Sequence, residues 1–191
     1  MKTIDEFRDG AVDAADRLFY RRGVQAVGMD ELRAEAGISL KKLYSLFPSK
    51  ESIVLAVLHK RQNIWNTGIA EAAARVTGPR EKLLAVYDFL TEWFNTDDFN
   101  GCGFINAFGE LGATVPAVAE VTRTQKESFQ TYMAELVAEA GGPAFLAPQL
   151  AILAEGAQTT AAISGTPDAA LQARAAAETL IGAALGTQHQ R

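Results

Sequence analysis

A short stretch of the chain carries several side chains that can bind a polyanion: Lys41, Lys42, Tyr44 and Ser45. Ammonium and hydroxyl groups donate hydrogen bonds to phosphate oxygens, and lysine also reaches the acceptor atoms on guanine edges. Leu43 and Phe47 are four residues apart, so on a helix they share one face. The polar side chains then lie mostly on other faces, where a nucleic acid could contact them. The alternative is a solvated charged face with no partner.

These residues belong to a segment, residues 29–50, whose pattern is a short helix, a tight turn and a second short helix. Leu32 and Ile38 give the first helix and the turn an apolar inner side. Gly37 lies where the chain reverses, because glycine tolerates positive φ at little cost. Ser39 is a favourable N-cap for the second helix. The layout predicts a helix-turn-helix, the unit that places its second helix in the major groove of double-stranded DNA.

The distribution of charge makes a DNA partner compatible with an acidic chain. The 191 residues carry a formal net charge of −5 and are 48% hydrophobic. Residues 1–50 hold nine Lys or Arg against eight Asp or Glu, and the remainder hold nine against fifteen. Binding depends on the local potential more than on the total charge, so a near-neutral N-terminal part can still bind DNA.

Helical periodicity extends along nearly the whole chain and predicts an all-α protein of about nine helices. We expect an N-terminal three-helix DNA-binding domain over residues 1–48 and a C-terminal ligand-binding and dimerisation bundle over residues 49–191. The N-terminus lacks the apolar core of a signal peptide, and no apolar run is long enough to span a membrane. We therefore expect a cytoplasmic protein with no membrane partner.

The last two predicted helices are crowded with alanine and glycine, in LAPQLAILAEGAQTTAAISG and DAALQARAAAETLIGAALG. Small residues let helix axes approach closely. One interpretation is an interior helix pair within a single chain. We favour the other, a self-associating face that builds a four-helix bundle across a two-fold axis, because a DNA-binding protein of this kind normally needs two half-sites.

The helix-turn-helix segment resembles the tetracycline-repressor (TetR) family of bacterial transcription regulators. The similarity rests on AGIS at residues 36–39, the Leu43-Tyr44 pair, Phe47 and SKE at residues 49–51, and the all-helical remainder agrees with it. Trp93-Phe94 and the segment GCGFINA also resemble one subgroup of that family. The resemblance implies a homodimer that binds operator DNA, and in most members a repressor that releases DNA when a small molecule binds.

The motif and the resemblance together predict the DNA-contact residues: Gly28, Met29, Ser39, Leu40, Lys41, Lys42, Tyr44, Ser45 and Lys50. Tyr44 and Lys50 match family residues that bind phosphate, and such contacts position a protein on DNA. The residues that could recognise base sequence are Leu40, Lys41, Lys42 and Ser45. Leu40 could touch a thymine methyl group, and its alternative role is simple packing.

Three residues depart from the family pattern. Gly28 stands where Thr or Ser usually caps the first helix of the motif, at a cost of about a few tenths of a kcal/mol. Arg33 stands where a small alanine is usual, so we expect the packing angle of the two short helices to be affected. Leu46 replaces a common histidine near the phosphates, so we expect one weaker contact to the DNA backbone.

Aromatic residues recur at helical spacing in the C-terminal part and favour a site for an apolar or aromatic effector. The predicted effector residues are Trp65, Tyr87, Trp93, Cys102, Phe104, Asn106, Phe108, Phe129, Met133 and Gln158. Asn106, Gln158 and Thr159 would supply polar anchors. The alternative is that each aromatic side chain simply fills the core.

The chain has one cysteine, Cys102, so no intrachain disulfide is possible. No Lys, Arg or His is near it in sequence, which favours a buried inert thiol over a redox sensor. His59 and His189 are too far apart to suggest a metal site, and we expect neither a metal nor a cofactor. The predicted function is a dimeric, sequence-specific transcription regulator released from DNA by a small molecule. The alternatives are a regulator with no small-molecule effector and a helical enzyme.

Overall fold

A computed structural model of the chain describes residues 3–186, and these residues form nine helices and no strand. The helices are α1 Ile4–Arg22, α2 Met29–Glu35, α3 Leu40–Leu46, α4 Lys50–Ala74, α5 Pro79–Phe94, α6 Gly103–Leu111, α7 Pro116–Glu139, α8 Leu146–Ser164 and α9 Asp168–Gly186. This architecture confirms the predicted all-α fold. No helix in the described part of the chain is long and apolar enough to cross a membrane. His189 lies outside the described residues.

The chain divides into two compact units. The first unit contains Met1–Asn63 and Gly103–Arg123, so it includes α1 to α3, the first part of α4, all of α6 and the start of α7. The second unit contains Ile64–Cys102 and Thr124–Arg191. The domain boundary after residue 48 stays a prediction, and the division by contacts assigns α6 to the first unit.

Local sequence signals determine where the helices of the first unit begin and end. Thr3 starts α1 with a capping box, in which its hydroxyl accepts from Glu6 N and the Glu6 carboxylate accepts from Thr3 N. Gly23 ends α1 at a φ of 83°, and Gly37 forms the turn between α2 and α3 at a φ of 65°. Both values lie in the region that glycine adopts without strain, and Gly37 is where the sequence predicted the reversal.

A core built on α5 holds the second unit together. Helix α5 packs against α8 and α9, which also pack against each other. Leu83 and Leu90 are completely buried. The Tyr87 hydroxyl donates a hydrogen bond to the Leu150 carbonyl at 2.7 Å, and burial raises the pKa of Tyr87, so the phenol stays neutral. The buried residues of α8 and α9 are mostly alanine, which allows the close approach that their composition predicts.

We expect Gly68→Ala to lower the free energy of unfolding by about 1–3 kcal/mol, as overpacking of a core does. An added Cβ at Gly68 would lie 2.2 Å from Cε2 of Phe89. That ring is confined, because it stacks on Trp93 and meets Trp65 edge-on. Urea denaturation measures the effect. Gly10→Ala is the control, since a Cβ there meets nothing within 4 Å and alanine in a helix stabilises by about 0.5–1 kcal/mol over glycine. Equal stabilities of the two variants would contradict this packing.

Candidate DNA interface and effector region

One side of helix α3 is apolar and buried in the first unit, and the opposite side is exposed to solvent. Leu43 is 1% exposed and Phe47 is 0% exposed, whereas Tyr44 is 48% exposed. Lys41 and Ser45 are exposed as well. The structure therefore brings Lys41, Tyr44 and Ser45 together on the accessible side of α3, where a nucleic acid can contact them.

The start of α3 is held by side-chain bonds to its own backbone. Ser39 is the N-cap, and its hydroxyl accepts a hydrogen bond from Lys42 N at 3.1 Å. The Ser45 hydroxyl donates to the Lys42 carbonyl at 2.7 Å. Leu40 and Met29 are half-buried. Because the Ser45 proton is already donated, this hydroxyl is available as a hydrogen-bond acceptor.

Two of the predicted DNA-contact lysines lie over aromatic rings of α1. Lys42 Nζ is 4.8 Å from the centroid of the Phe7 ring, and Lys50 Nζ is 5.9 Å from the centroid of the Phe19 ring. Burial lowers the pKa of Lys50, and the charge of Glu110 opposes part of that effect. A nearby phosphate would favour the charged ammonium further. The rings thus hold both lysines near α1, while Lys41 extends into solvent.

Arg8 of α1 holds the other end of α3, and sequence reasoning missed it. Arg8 Nη1 donates a hydrogen bond to the Leu46 carbonyl at 2.9 Å. Its guanidinium also lies 4.4 Å from the centroid of the Phe47 ring. The last carbonyls of a helix lack intrahelical donors, so this bond satisfies one of them. Arg8 is 38 positions from Leu46, and no local pattern marks the pair.

The structure shows where the residues that depart from the family pattern lie. Arg33 pairs with Asp30 at 3.0 Å and its side chain is 43% exposed, while Ile38 N donates to the Arg33 carbonyl at 3.0 Å. The expected effect of Arg33 on the packing angle of the two short helices stays a prediction. Leu46 is buried, so its side chain contributes to the core, and the weaker contact to the DNA backbone expected there stays a prediction. Gly28 offers no side-chain cap, as expected.

A buried carboxylate joins α1 to the first part of α4. Asp16 is buried and accepts hydrogen bonds from Lys60 Nζ at 3.1 Å and Arg61 Nε at 2.5 Å. Lys60 also binds Asp13 at 2.8 Å, and Arg61 lies 3.5 Å from the centroid of the Tyr20 ring. Burial alone would lower the pKa of Lys60, but its hydrogen bonds and charge interactions with the two aspartates outweigh that effect and raise it.

Glu110 joins α6 to the turn that follows α1. Its two carboxylate oxygens accept from Val24 N at 2.9 Å and Gln25 N at 2.8 Å, and its carbonyl accepts from Gln25 Nε2 at 2.7 Å. Gly23 permits this approach, because a Cβ there would lie 2.9 Å from Glu110 Oε1. Glu110 is 85 or more positions from these partners, so sequence reasoning did not find it.

The ten predicted effector residues fall in both units. Phe104, Asn106 and Phe108 belong to the first unit, and the others belong to the second. The Trp65 ring meets the rings of Phe89, Trp93 and Phe129 edge-on, at centroid distances of 5.4, 5.9 and 5.4 Å. Tyr87 and Met133 are completely buried. These are the contacts of a packed core, which was the alternative interpretation, so the role of these residues toward an effector stays a prediction.

A polar cluster lies inside the second unit at Cys102. Lys126 Nζ is 3.6 Å from Cys102 Sγ and 3.6 Å from Glu155 Oε1. No cation is near Cys102 in sequence, but the fold brings Lys126, 24 positions away, close to the thiol. Cys102 is buried, as predicted. Gln158, one helical turn after Glu155, is 1% exposed. Within the described residues no three His, Cys, Asp or Glu side chains converge as a metal site.

One surface cleft of the second unit is lined by residues other than the predicted effector residues. A cleft of about 380 Å³ lies there between α4, α5 and α7, lined by Ala70, Ala73, Ala74, Lys82, Tyr132, Glu135, Leu136 and Glu139. Burial raises the pKa of Tyr132, and Glu139 adds to the rise. In the first unit, Asn106 lines a hollow of about 30 Å³ together with Asp16 and Arg61.

Comparison with known proteins agrees with this arrangement of the first unit. Residues 11–57 match the family model described as "Bacterial regulatory proteins, tetR family". Over 138 residues the chain is 30% identical to the HTH-type transcriptional activator FasR of Mycolicibacterium smegmatis. The chain belongs to the TetR family. Its first unit contains the family's helix-turn-helix, and the relatives that it matches are named as transcription regulators.

The similarity extends along the fold of this TetR-family chain. A TetR-family regulator from Streptomyces coelicolor has a TM-score of 0.88 at 23% identity, and covers 95% of this chain and 97% of that one. A TetR regulator from Chloroflexus aurantiacus has a TM-score of 0.82 at 24% identity, with 95% and 96% covered. The match to FasR covers 72% of this chain and 62% of that protein, so the chain spans less than two thirds of that relative's length.

We expect Asp16→Asn to destabilise the protein by about 2–3 kcal/mol, because it leaves the charges of Lys60 and Arg61 without their buried partner. Thermal and urea unfolding measure the loss. Asp13→Asn is the matched control, since Asp13 also binds Lys60 but its side chain is 53% exposed, and exposed pairs contribute about 0–1 kcal/mol. If the free energy of unfolding fell by the same small amount in both variants, Asp16 would not be the link between α1 and α4.

Proposed function

We propose that this TetR-family protein is a homodimer that binds operator DNA through α3 and releases it when a small molecule binds the second unit. The observation that carries the proposal is the division of α3 into two sides. Leu43 and Phe47 are buried, and Lys41, Tyr44 and Ser45 are exposed. A short helix with this division, capped by a serine, suits insertion into a major groove.

The predicted contacts divide into two kinds. Tyr44 and Lys50 bind phosphates and set the position of α3 on the duplex. Leu40, Lys41, Lys42 and Ser45 are near enough to the start or the exposed side of α3 to meet base edges. Lysine binds the O6 and N7 atoms of guanine, and the leucine methyls can contact a thymine methyl group.

The homodimer forms, in this proposal, through α8 and α9. Their mutual contact buries alanines and leaves large apolar side chains outside: Ile152, Ile163 and Leu171 are 70%, 83% and 56% exposed. Such side chains on adjacent helices favour burial against a second copy of the same surface. A four-helix bundle across a two-fold axis would then hold two α3 helices for two half-sites.

For a ligand in the second unit to cause release of DNA, its binding must change the structure of the first unit. Helix α4 provides a path for this change, because Lys50–Asn63 belongs to the first unit and Ile64–Ala74 to the second. A molecule that prefers a shifted position of α4 would change the separation of the two recognition helices. Successive major grooves are about 34–36 Å apart, so a small change lowers affinity for both half-sites together.

The direction of regulation has a second candidate. FasR, the relative described above, is named an activator. Activation would also use DNA binding through α3, but with the operator placed where a bound dimer assists transcription. A reporter gene whose operator overlaps the transcription start distinguishes repression from activation. A repressor bound there lowers expression of the reporter, whereas an activator bound there does not raise it.

We expect Lys42→Ala and Tyr44→Phe to weaken operator binding by about tenfold each without unfolding the protein, because each removes one DNA contact. Fluorescence anisotropy with a duplex selected by the wild-type protein from random sequences measures the affinity, and circular dichroism checks the fold. Lys82→Ala and Tyr132→Phe are the matched controls in the second unit. Wild-type affinity in both α3 variants would contradict the proposed docking.

A further inference from the structure

Three buried oxygen atoms of the second unit accept no hydrogen bond from any described residue: Gln125 Oε1, Glu155 Oε1 and Gln158 Oε1. Gln125 is 4% exposed and Gln158 is 1% exposed. Buried acceptors are nearly always satisfied in folded proteins, because an unmet one loses its water without compensation. A molecule that supplied a hydrogen-bond donor could satisfy one or more of these oxygen atoms.

One of the three acceptors, Glu155 Oε1, takes part in a polar contact between α7 and α8, and the two glutamines are near that contact in sequence. Lys126 Nζ is 3.6 Å from Glu155 Oε1 and 3.6 Å from Cys102 Sγ. Gln125 is the neighbour of Lys126 on α7, and Gln158 follows Glu155 by three residues on α8, which is a same-face spacing. At 3.6 Å the Lys126–Glu155 contact is an ion pair and too long for a good hydrogen bond, so it leaves Glu155 Oε1 able to accept one.

The helix that carries Gln125 and Lys126 also carries one ring of the aromatic cluster. Phe129 is one helical turn after Gln125 on α7, and its ring meets Trp65 edge-on at 5.4 Å. The Trp65 ring also meets the rings of Phe89 and Trp93 edge-on. A molecule that met the acceptors through one end could place an apolar ring against this cluster, since aromatic pairs of this geometry are favourable.

The charges and donors present restrict what that molecule can be. Lys126 and Glu155 compensate each other, so the cluster favours neither an anion nor a cation strongly. Gln158 Nε2 already donates to the Ala154 carbonyl at 3.2 Å, which leaves its oxygen as the free group. The site is short of donors, so a carboxylate or an ether would leave the acceptors unmet.

We infer that the second unit binds a neutral aromatic molecule that carries an N–H or O–H donor, of the kind found in primary aromatic amides and aromatic alcohols. Its donor binds Gln125, Glu155 or Gln158, and its ring packs against Phe129 and Trp65. This inference rests on the proposed function, because it names the chemical class of the effector, and it refines the apolar or aromatic effector expected from the sequence.

Tryptophan fluorescence provides the test, since the two tryptophans of the chain, Trp65 and Trp93, both belong to the aromatic cluster. The purified full chain is titrated with benzamide and with N,N-dimethylbenzamide, and with benzyl alcohol and benzyl methyl ether. We expect saturable quenching by the two donors and at least about tenfold weaker binding of their donor-free counterparts. Equal binding within each pair, or no saturable binding by any of the four probes, would overturn the inference.

A variant separates ligand binding from a structural role of the glutamine. Gln158→Leu should remove the preference for the probes that carry a hydrogen-bond donor over their donor-free counterparts. It should also raise the melting temperature, because an apolar side chain replaces a buried acceptor that has no hydrogen bond. Gln158→Met, which is also unbranched, repeats the test with a more flexible side chain, and Gln130→Leu at an exposed position of α7 is the control. A lowered melting temperature with unchanged probe preference in both Gln158 variants would assign Gln158 to structure and overturn its part in the site.

Operator release is measured separately with the same probes. Benzamide could bind more tightly than N,N-dimethylbenzamide and yet not release the protein from its selected duplex. That result would support the inferred ligand class and contradict the release of DNA by an effector in the proposed function. If another compound releases the duplex while all four probes fail to bind, the proposed function stands and the ligand class is wrong.

Discussion

The burial of Leu43 and Phe47 is the constraint on which the DNA interface depends. A seven-residue helix has little stability of its own, so its packing fixes both its existence and its rotation about its axis. With these two side chains inward, Lys41, Tyr44 and Ser45 must face solvent. A rotation of one residue would bury a lysine without a partner, which is far more costly than the observed arrangement.

The first unit surrounds α3 with links that a DNA-binding helix alone would not need. Arg8 binds the carbonyl at the end of α3, Asp16 binds two cations of α4, and Glu110 binds two backbone amides after α1. Consequently α6, which is distant in sequence, is part of the same compact unit as the helix-turn-helix. A displacement of α4 or α6 would therefore disturb the hydrogen bonds that join these helices to α1 and to the turn after it.

Local signals were sufficient to predict much of this structure. Gly37 and Ser39 marked the turn and the start of α3, and the four-residue spacing of Leu43 and Phe47 marked its inner side. Sequence reasoning failed where a side chain meets a partner far along the chain. Glu110 and Lys126 occupy ordinary helical positions, and nothing in their neighbourhoods indicates the backbone amides or the thiol that they contact.

The surroundings of a side chain are equally hard to predict from its sequence neighbours. Arg33 lies beside the turn in sequence, but its guanidinium pairs with Asp30. Leu46 stands at a family position near the phosphates, but its side chain is buried. The aromatic residues chosen for an effector site were chosen by type and spacing, which do not separate a pocket from a core.

Selection of bound duplexes from a random pool by the wild-type protein tests whether two copies of α3 recognise DNA as a symmetric pair. We expect an inverted repeat whose half-sites are centred about one helical turn, or a multiple of it, apart, near 10–10.5 base pairs per turn. A bound pool with no enriched sequence, or with a single unrepeated site contacted by one protein molecule, would contradict it.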